Sequence, residues 1–181
     1  MRELENKKVA ILTENGFEES ELTSPKNALE EAGAEVFIVS PQKDSVKAWD
    51  KDNWGIELKV DTEIGAASPE NYDALLLPGG VMNPDSLRGN EKAVAFTKAF
   101  LDAKKPVAAI CHGPQTLIET GLLKGRKMTS YSSIKTDLIN AGVNWVDREV
   151  VVDQGLVTSR SPEDLPAFNS KMIEEFAEGV H

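Results

Sequence analysis

Val107-Ala108-Ala109-Ile110-Cys111-His112-Gly113-Pro114 is the stretch on which the reading of this chain turns. Its first four residues are apolar without alternation, the pattern of a short strand covered on both faces. The strand runs straight into a thiol, and Gly113 with Pro114 suits a sharp turn into a helix. Strand, tight turn and helix make up the mechanical plan of a nucleophile elbow, which lifts a reactive side chain above the sheet. The same position puts the thiol at a helix N-terminus, where partial positive charge favours the thiolate. A lone cysteine is otherwise a small buried hydrophobe. The strand before it, the histidine after it and the Gly-Pro turn argue for chemistry instead.

Working outward, the same grammar repeats. Residues 8–13, Lys-Val-Ala-Ile-Leu-Thr, read as a buried strand closed by Glu14-Asn15-Gly16, and residues 35–40 and 74–77 as two more. A helix ends near Ala32 with Gly33 as its stop; Pro25 means that it begins either at Ser24-Pro25 or earlier, from Glu18, with a bend. Further helices are expected over residues 90–103, from Pro114, over 135–140 and from residue 162 or 163 to 177, with short strands at 143–146, 150–152 and 156–158. Residues 41–73 read as an irregular charged stretch, with Trp49 and Trp54 in a packed loop rather than an aromatic cage. Alternating strands and helices predict an α/β fold, a mostly parallel sheet with helices on both faces, and one domain over residues 1–181. Ligands in such sheets sit at the carboxyl ends of the strands, here just after Thr13, Leu77 and Ile110.

Two of those ends carry further signals. Leu77-Pro78-Gly79-Gly80 has consecutive glycines, which make either a plain turn or a backbone free to approach a ligand, as an oxyanion site requires. Thr13 leads into Glu14, Glu18, Glu19 and Glu21, and spacing alone leaves open which of them points inward. An inward carboxyl near Cys111 must be protonated to donate a hydrogen bond, or else opposes thiolate formation.

Composition excludes several classes. With 30 Asp and Glu against 20 Lys and Arg the 181-residue chain carries a net charge of −10, which disfavours a nucleic-acid groove. One cysteine and two histidines make neither an intramolecular disulfide nor a Cys/His zinc cluster, so no metal and no cofactor is expected. A G-x-G-x-x-G fingerprint is missing, and Gly121–Lys127 lacks phosphate-loop spacing. The charged start is unlike a signal peptide and no apolar run approaches the ~20 residues of a membrane span. A soluble cytoplasmic protein is predicted. Because one histidine is residue 181, imidazole assistance at Cys111 falls to its neighbour His112, although adjacent side chains usually diverge.

Together the motifs Gly16-Phe17-Glu18-Glu19, Leu76-Leu77-Pro78-Gly79-Gly80, Asn83-Pro84-Asp85, Ala109-Ile110-Cys111-His112-Gly113-Pro114, Thr129-Ser130-Tyr131 with Ile134-Lys135, and residues 141–147 span nearly the whole chain. They resemble the PfpI family of intracellular cysteine hydrolases. That family lies in the class I glutamine amidotransferase-like superfamily, with the Parkinson-disease-associated protein deglycase. The resemblance implies a flavodoxin-like three-layer sandwich and a homodimer or higher homo-oligomer. It implies Cys111 as nucleophile, Glu18 as the acid bonded to it, and His112 oriented by Asp85 of a neighbouring subunit. Gly79 and Gly80 with the His112 amide would form the oxyanion site, beside Tyr131. Asp85 stands where many relatives carry the longer Glu. Members have been described as peptidases, glyoxalases and deglycases, all of which attack a carbonyl. The favoured expectation is stress protection against methylglyoxal and early glycation adducts, small aldehydes or glycated proteins being the substrates. A peptidase, or a redox sensor working through oxidation of Cys111, is the alternative.

Overall fold

The computed structural model describes residues 2–181. In chain order its elements are β1 (Lys8–Leu12), β2 (Phe17–Glu18), α1 (Glu19–Glu31), β3 (Glu35–Ser40), β4 (Ser45–Asp50), β5 (Asn53–Lys59), β6 (Thr62–Glu63) and β7 (Ala74–Leu77). Then come α2 (Met82–Arg88), α3 (Glu91–Asp102), β8 (Val107–Ile110), α4 (Pro114–Ile118), β9 (Lys127–Met128) and α5 (Lys135–Asn140). The last are β10 (Asn144–Trp145), β11 (Val151–Asp153), β12 (Leu156–Ser159) and α6 (Leu165–Glu178). Seven strands form the main sheet in the order β11-β12-β8-β7-β1-β3-β6. All its pairings are parallel except β11 with β12. Taken by themselves, the five central strands have the flavodoxin order 2-1-3-4-5. The direction of winding reverses between β1 and β7, and the crevice of such a sheet opens at that switch point.

The period of two along each strand splits the core between the two faces of the sheet. Val9, Ile11, Leu76, Ala108, Ile110 and Val157 face Leu22 and Leu29 of α1 and Phe168, Met172 and Phe176 of α6. Ala10, Leu12, Leu75, Leu77, Val107, Ala109 and Leu156 face Phe96 and Phe100 of α3, Leu117 of α4 and Leu138 of α5. Three layers result, as expected of the fold, and the strand ends that converge on the crevice are those of β1, β7 and β8.

Three local features differ from the sequence reading or settle it. Helix α1 takes the earlier start and runs on through a buried Pro25. Its Asn90-capped counterpart α3 has the expected extent, the Asn90 side chain accepting from the Ala93 amide. Residues 41–73 are not irregular: β4 and β5 form an antiparallel hairpin that pairs with β2, with Trp49 and Trp54 edge to face at 5.3 Å and 86°. A bulge between Lys47 and Trp49 breaks the two-residue alternation, and β5 is almost wholly exposed, so no apolar period marked it. Finally, Met82–Arg88 is a helix of about two turns where no element was expected. Pro84 falls in its first turn, where a missing N–H costs nothing.

Candidate active site

At the end of β8 the backbone turns left-handed at Cys111, with φ +62°. For a residue with a Cβ this conformation is strained, of order 1–3 kcal/mol, and it persists because its neighbours fix it. The Cys111 amide donates to Ser159 O at 3.1 Å, its carbonyl accepts from the Tyr131 amide at 2.9 Å, and Gly113 N donates to Ile110 O at 2.9 Å. The elbow anticipated from the sequence is therefore present. It also removes the objection that adjacent side chains diverge: His112 Nδ1 lies 3.2 Å from Cys111 Sγ.

The rest of the imidazole is held from the segment after β9. Its Nε2 lies 3.1 Å from Ser133 Oγ, and its ring stacks on Tyr131 with centroids 4.8 Å apart and planes at 25°. Burial lowers the His112 pKa, so the ring is neutral near pH 7. Asp85 is exposed on α2, and within the chain the two ring nitrogens are engaged by Cys111 and Ser133.

The carboxyl that meets the thiol is Glu21, a correction to the position carried over by resemblance, Glu18. Glu21 is fully buried, and neither of its oxygens has a hydrogen-bond partner of ordinary geometry. What lies within its reach is the Cys111 sulfur together with the Gly79 and Gly80 amides. Burial, reinforced by the charge of Glu18, pushes its pKa up to about 8, so the group carries a proton at neutral pH. The reason is the start of α1. A helix beginning at Glu19 sets Glu21 at i, with Pro25 at i+4 and Leu29 at i+8, on its buried stripe. Glu18, at the N-cap, stays at the rim of the cavity, its carboxyl raised by partial burial and by Asp50 and Glu19.

The other acids of the cluster have structural work. Glu14 accepts from the Gln42 side chain and the Asn15 amide, while Glu19 accepts from the Ile56 amide and so ties the hairpin to α1.

Gly79 and Gly80 are more than a turn. A Cβ on Gly79 would stand 2.4 Å from Glu21 Oε1 and 2.7 Å from Cys111 Cβ, because the chain threads between them. Gly80, at φ +85°, has Glu18 N and Gly16 O each 2.7 Å from where a Cβ would be. This close approach brings the Gly80 amide, with that of His112, within reach of the sulfur, and both favour its anionic form. Burial and a charged Glu21 push the thiol pKa up. Protonation of Glu21 removes that repulsion and turns the carboxyl into a donor.

A cavity of about 470 Å³ opens on these groups, walled by Trp49 and Lys51 from the hairpin, Val81 and Met82 from the start of α2, and Tyr131, Ser133 and Pro162. Met82 and Ser133 escaped the sequence reading, which also assigned Trp49 to a packed loop rather than a binding cage. All three reach the site from segments whose pairing or helicity is set by tertiary contacts. Side chains able to gather round a metal ion, Glu175, Glu178 and His181, lie beside Gly155 at the far ends of the strands, not at Cys111.

Comparison with known proteins agrees with the fold. Residues 7–175 match the model of the DJ-1/PfpI family. The chain belongs to the DJ-1/PfpI family. It is 47% identical over 168 residues to a Bacillus subtilis protein named putative cysteine protease YraA, covering 93% of this chain and 97% of that one. It is also 47% identical over 167 residues to a Pyrococcus furiosus protein named deglycase PfpI, covering 92% of this chain and 98% of the relative. Among solved structures, a two-domain protein from Anabaena variabilis with DJ-1/ThiJ/PfpI-like and ferritin-like domains superimposes with a TM-score of 0.87 at 38% identity. That match covers 93% of this chain and 48% of the longer one. The α/β sandwich is thus that of the family. Among the described residues no helix is long and apolar enough to cross a membrane.

Proposed function

We propose that this chain is a cysteine-dependent enzyme acting on electrophilic carbonyls, of the deglycase/glyoxalase type, that removes methylglyoxal and early glycation adducts in the cytoplasm. The observation that carries the reading is the left-handed Cys111, set between His112 Nδ1, a buried Glu21 and two amides at the floor of a cavity of about 470 Å³. Cys111 Sγ attacks the aldehyde carbon as its proton passes to His112 Nδ1, and the carbonyl π pair moves onto oxygen, where the Gly80 and His112 amides receive it. The product is a hemithioacetal. For methylglyoxal, internal oxidation of the aldehyde carbon and reduction of the ketone give a thioester, and water, the one co-reactant, hydrolyses it to a hydroxy acid. A walled cavity of this size suits a small aldehyde or a single modified side chain better than an extended peptide.

The relative named deglycase supports this reading, and the one named putative cysteine protease supports its cysteine chemistry. We expect Cys111→Ser to lose essentially all consumption of methylglyoxal and of glycated peptide, followed by lactate formation and adduct loss. Undiminished turnover in that variant, or peptide cleavage as the wild type's only activity, overturns the reading.

A second reading rests on Glu21. A buried carboxyl that keeps its proton can donate to an oxygen of a Cys111 sulfinate, which suits a redox sensor. Mass spectrometry after mild peroxide decides it, and an unmodified Cys111 at doses that oxidise free thiols removes the sensor. For assembly we take the chain to be a homodimer or higher homo-oligomer. The exposed Val81 and Met82, on the same segment as Asp85 and beside the cavity mouth, favour that face. Sedimentation of Met82→Lys tests it, since an unchanged mass would place the contact elsewhere.

A further inference from the structure

Ser133 has no part in the chemistry assigned above, yet its hydroxyl lies 3.1 Å from the one ring nitrogen of His112 that faces away from the thiol. The direction of that hydrogen bond follows from its neighbours. Cys111 Sγ lies between Glu21 and His112 Nδ1. A buried Glu21 that keeps its proton has a carbonyl oxygen able to accept but is too weak a base to take the thiol proton, which leaves His112 Nδ1 as the base. To take that proton Nδ1 must be bare, and it then accepts from the Cys111 S–H. A neutral imidazole with a bare Nδ1 carries its hydrogen on Nε2, and Nε2–H donates to Ser133 Oγ.

We propose that Ser133 is a positioning residue: its hydroxyl accepts from His112 Nε2–H, fixes the tautomer with a free lone pair on Nδ1, and so makes His112 the base for Cys111. The residues then form one directed chain of donors, from Cys111 to His112 to Ser133, whose last hydroxyl is at the surface. When sulfur attacks and its proton arrives at Nδ1, the ring becomes an imidazolium, and the Ser133 oxygen already holds the opposite N–H. Tyr131, stacked on the ring face, fixes the plane but offers no atom to either nitrogen in that plane. The other titratable groups around the cavity, Glu18 and Lys51, come from α1's cap and the hairpin turn. A hydroxyl, unlike a carboxylate, does not raise the imidazole pKa by charge. The arrangement thus keeps His112 neutral, as a base should be near pH 7.

This inference deepens the proposed function and shares its view of Cys111, but its test separates the two. In the full chain, ¹⁵N-labelled at histidine, His112 and His181 are the two imidazoles present, and His181→Gln assigns the spectrum. Long-range ¹H–¹⁵N correlation at pH 7.5 should show His112 in the Nε2–H form. In Ser133→Ala the Nδ1–H form should become populated, and alkylation of Cys111 by iodoacetamide should slow about two- to tenfold, the scale of one neutral hydrogen bond. Ser133→Thr, which keeps the hydroxyl, should restore both. An unchanged tautomer ratio in Ser133→Ala overturns the proposal, and so does a slower alkylation without a tautomer change, which would mark a merely structural effect. If the wild type turns over no carbonyl substrate, the proposed function fails while the tautomer still answers for Ser133.

Discussion

Glu21 and Cys111 are buried side by side, and the proton on the carboxyl governs both. The carboxyl pKa rises from the ordinary 4.5 to about 8, chiefly by burial. Over that interval the folded protein holds a proton that the unfolded chain has released. Stability from this group is therefore full below about pH 4.5, falls as pH rises toward 8, and stays low above it, at roughly 1.4 kcal/mol per pH unit while the difference persists. Glu21→Gln keeps shape and a donor but does not titrate. Its urea midpoint should decline less than the wild type's between pH 5 and 8, and parallel curves would show that Glu21 is ionised in the folded state. The choice of Glu21 over Glu18 was open to the sequence in principle. It followed from one unknown, whether α1 begins at Glu19 or at Pro25, because only the earlier start carries Glu21 into the helix and onto the Leu29 stripe while leaving Glu18 at the N-cap. Pro25 obscured that start, being tolerated inside the helix where tertiary packing outweighs its lost hydrogen bond.

The elbow between β8 and α4 and the Pro-Gly-Gly turn after β7 work as a pair. Gly79 runs between Glu21 and Cys111 with no room for a methyl group. Gly79→Ala should cost about 1–3 kcal/mol, as overpacking does, and should slow Cys111 alkylation by separating thiol from carboxyl. Denaturation and iodoacetamide kinetics measure the two effects, and a variant with wild-type values for both would mean that the turn yields freely. The hairpin of β4 and β5 is a different kind of element. Trp54 is half exposed and holds Trp49 edge to face, so Trp54→Ala should loosen the wall of the cavity at a cost of about 0.5–1.5 kcal/mol. A weakened KM for methylglyoxal with kcat nearly kept is the expected outcome; an unchanged KM would remove the hairpin from substrate binding. Strands buried on both faces were legible as apolar runs. This hairpin was not, because its stability comes from pairing with β2 and from Glu19 reaching the Ile56 amide, contacts remote in sequence.

At the scale of the whole molecule the parallel sheet separates two cores that depend on different helices. Phe168 of α6 and Phe100 of α3 are both fully buried, one on each face. Truncating either to alanine should cost about 3–5 kcal/mol, seen as a lower urea midpoint with a single transition, and two separable transitions would mean that the layers unfold independently. The same sheet carries the ends of β1, β7 and β8 to one crevice, and so gathers Glu21, Gly80 and Cys111 from positions up to 90 residues apart. The sequence by itself determined the layered α/β architecture, the thiol at a strand-to-helix elbow, and the glycines. Each of these is a local property, set by apolar runs and by backbone that must turn sharply. Only the tertiary structure decided that Glu21 is the buried carboxyl, that a left-handed Cys111 folds His112 back onto its sulfur, and that Ser133 and Trp49 border the site. Those depend on helix phase, on one backbone dihedral and on long-range pairing, where a shift of a single residue or rotamer carries a side chain from the cavity to the solvent.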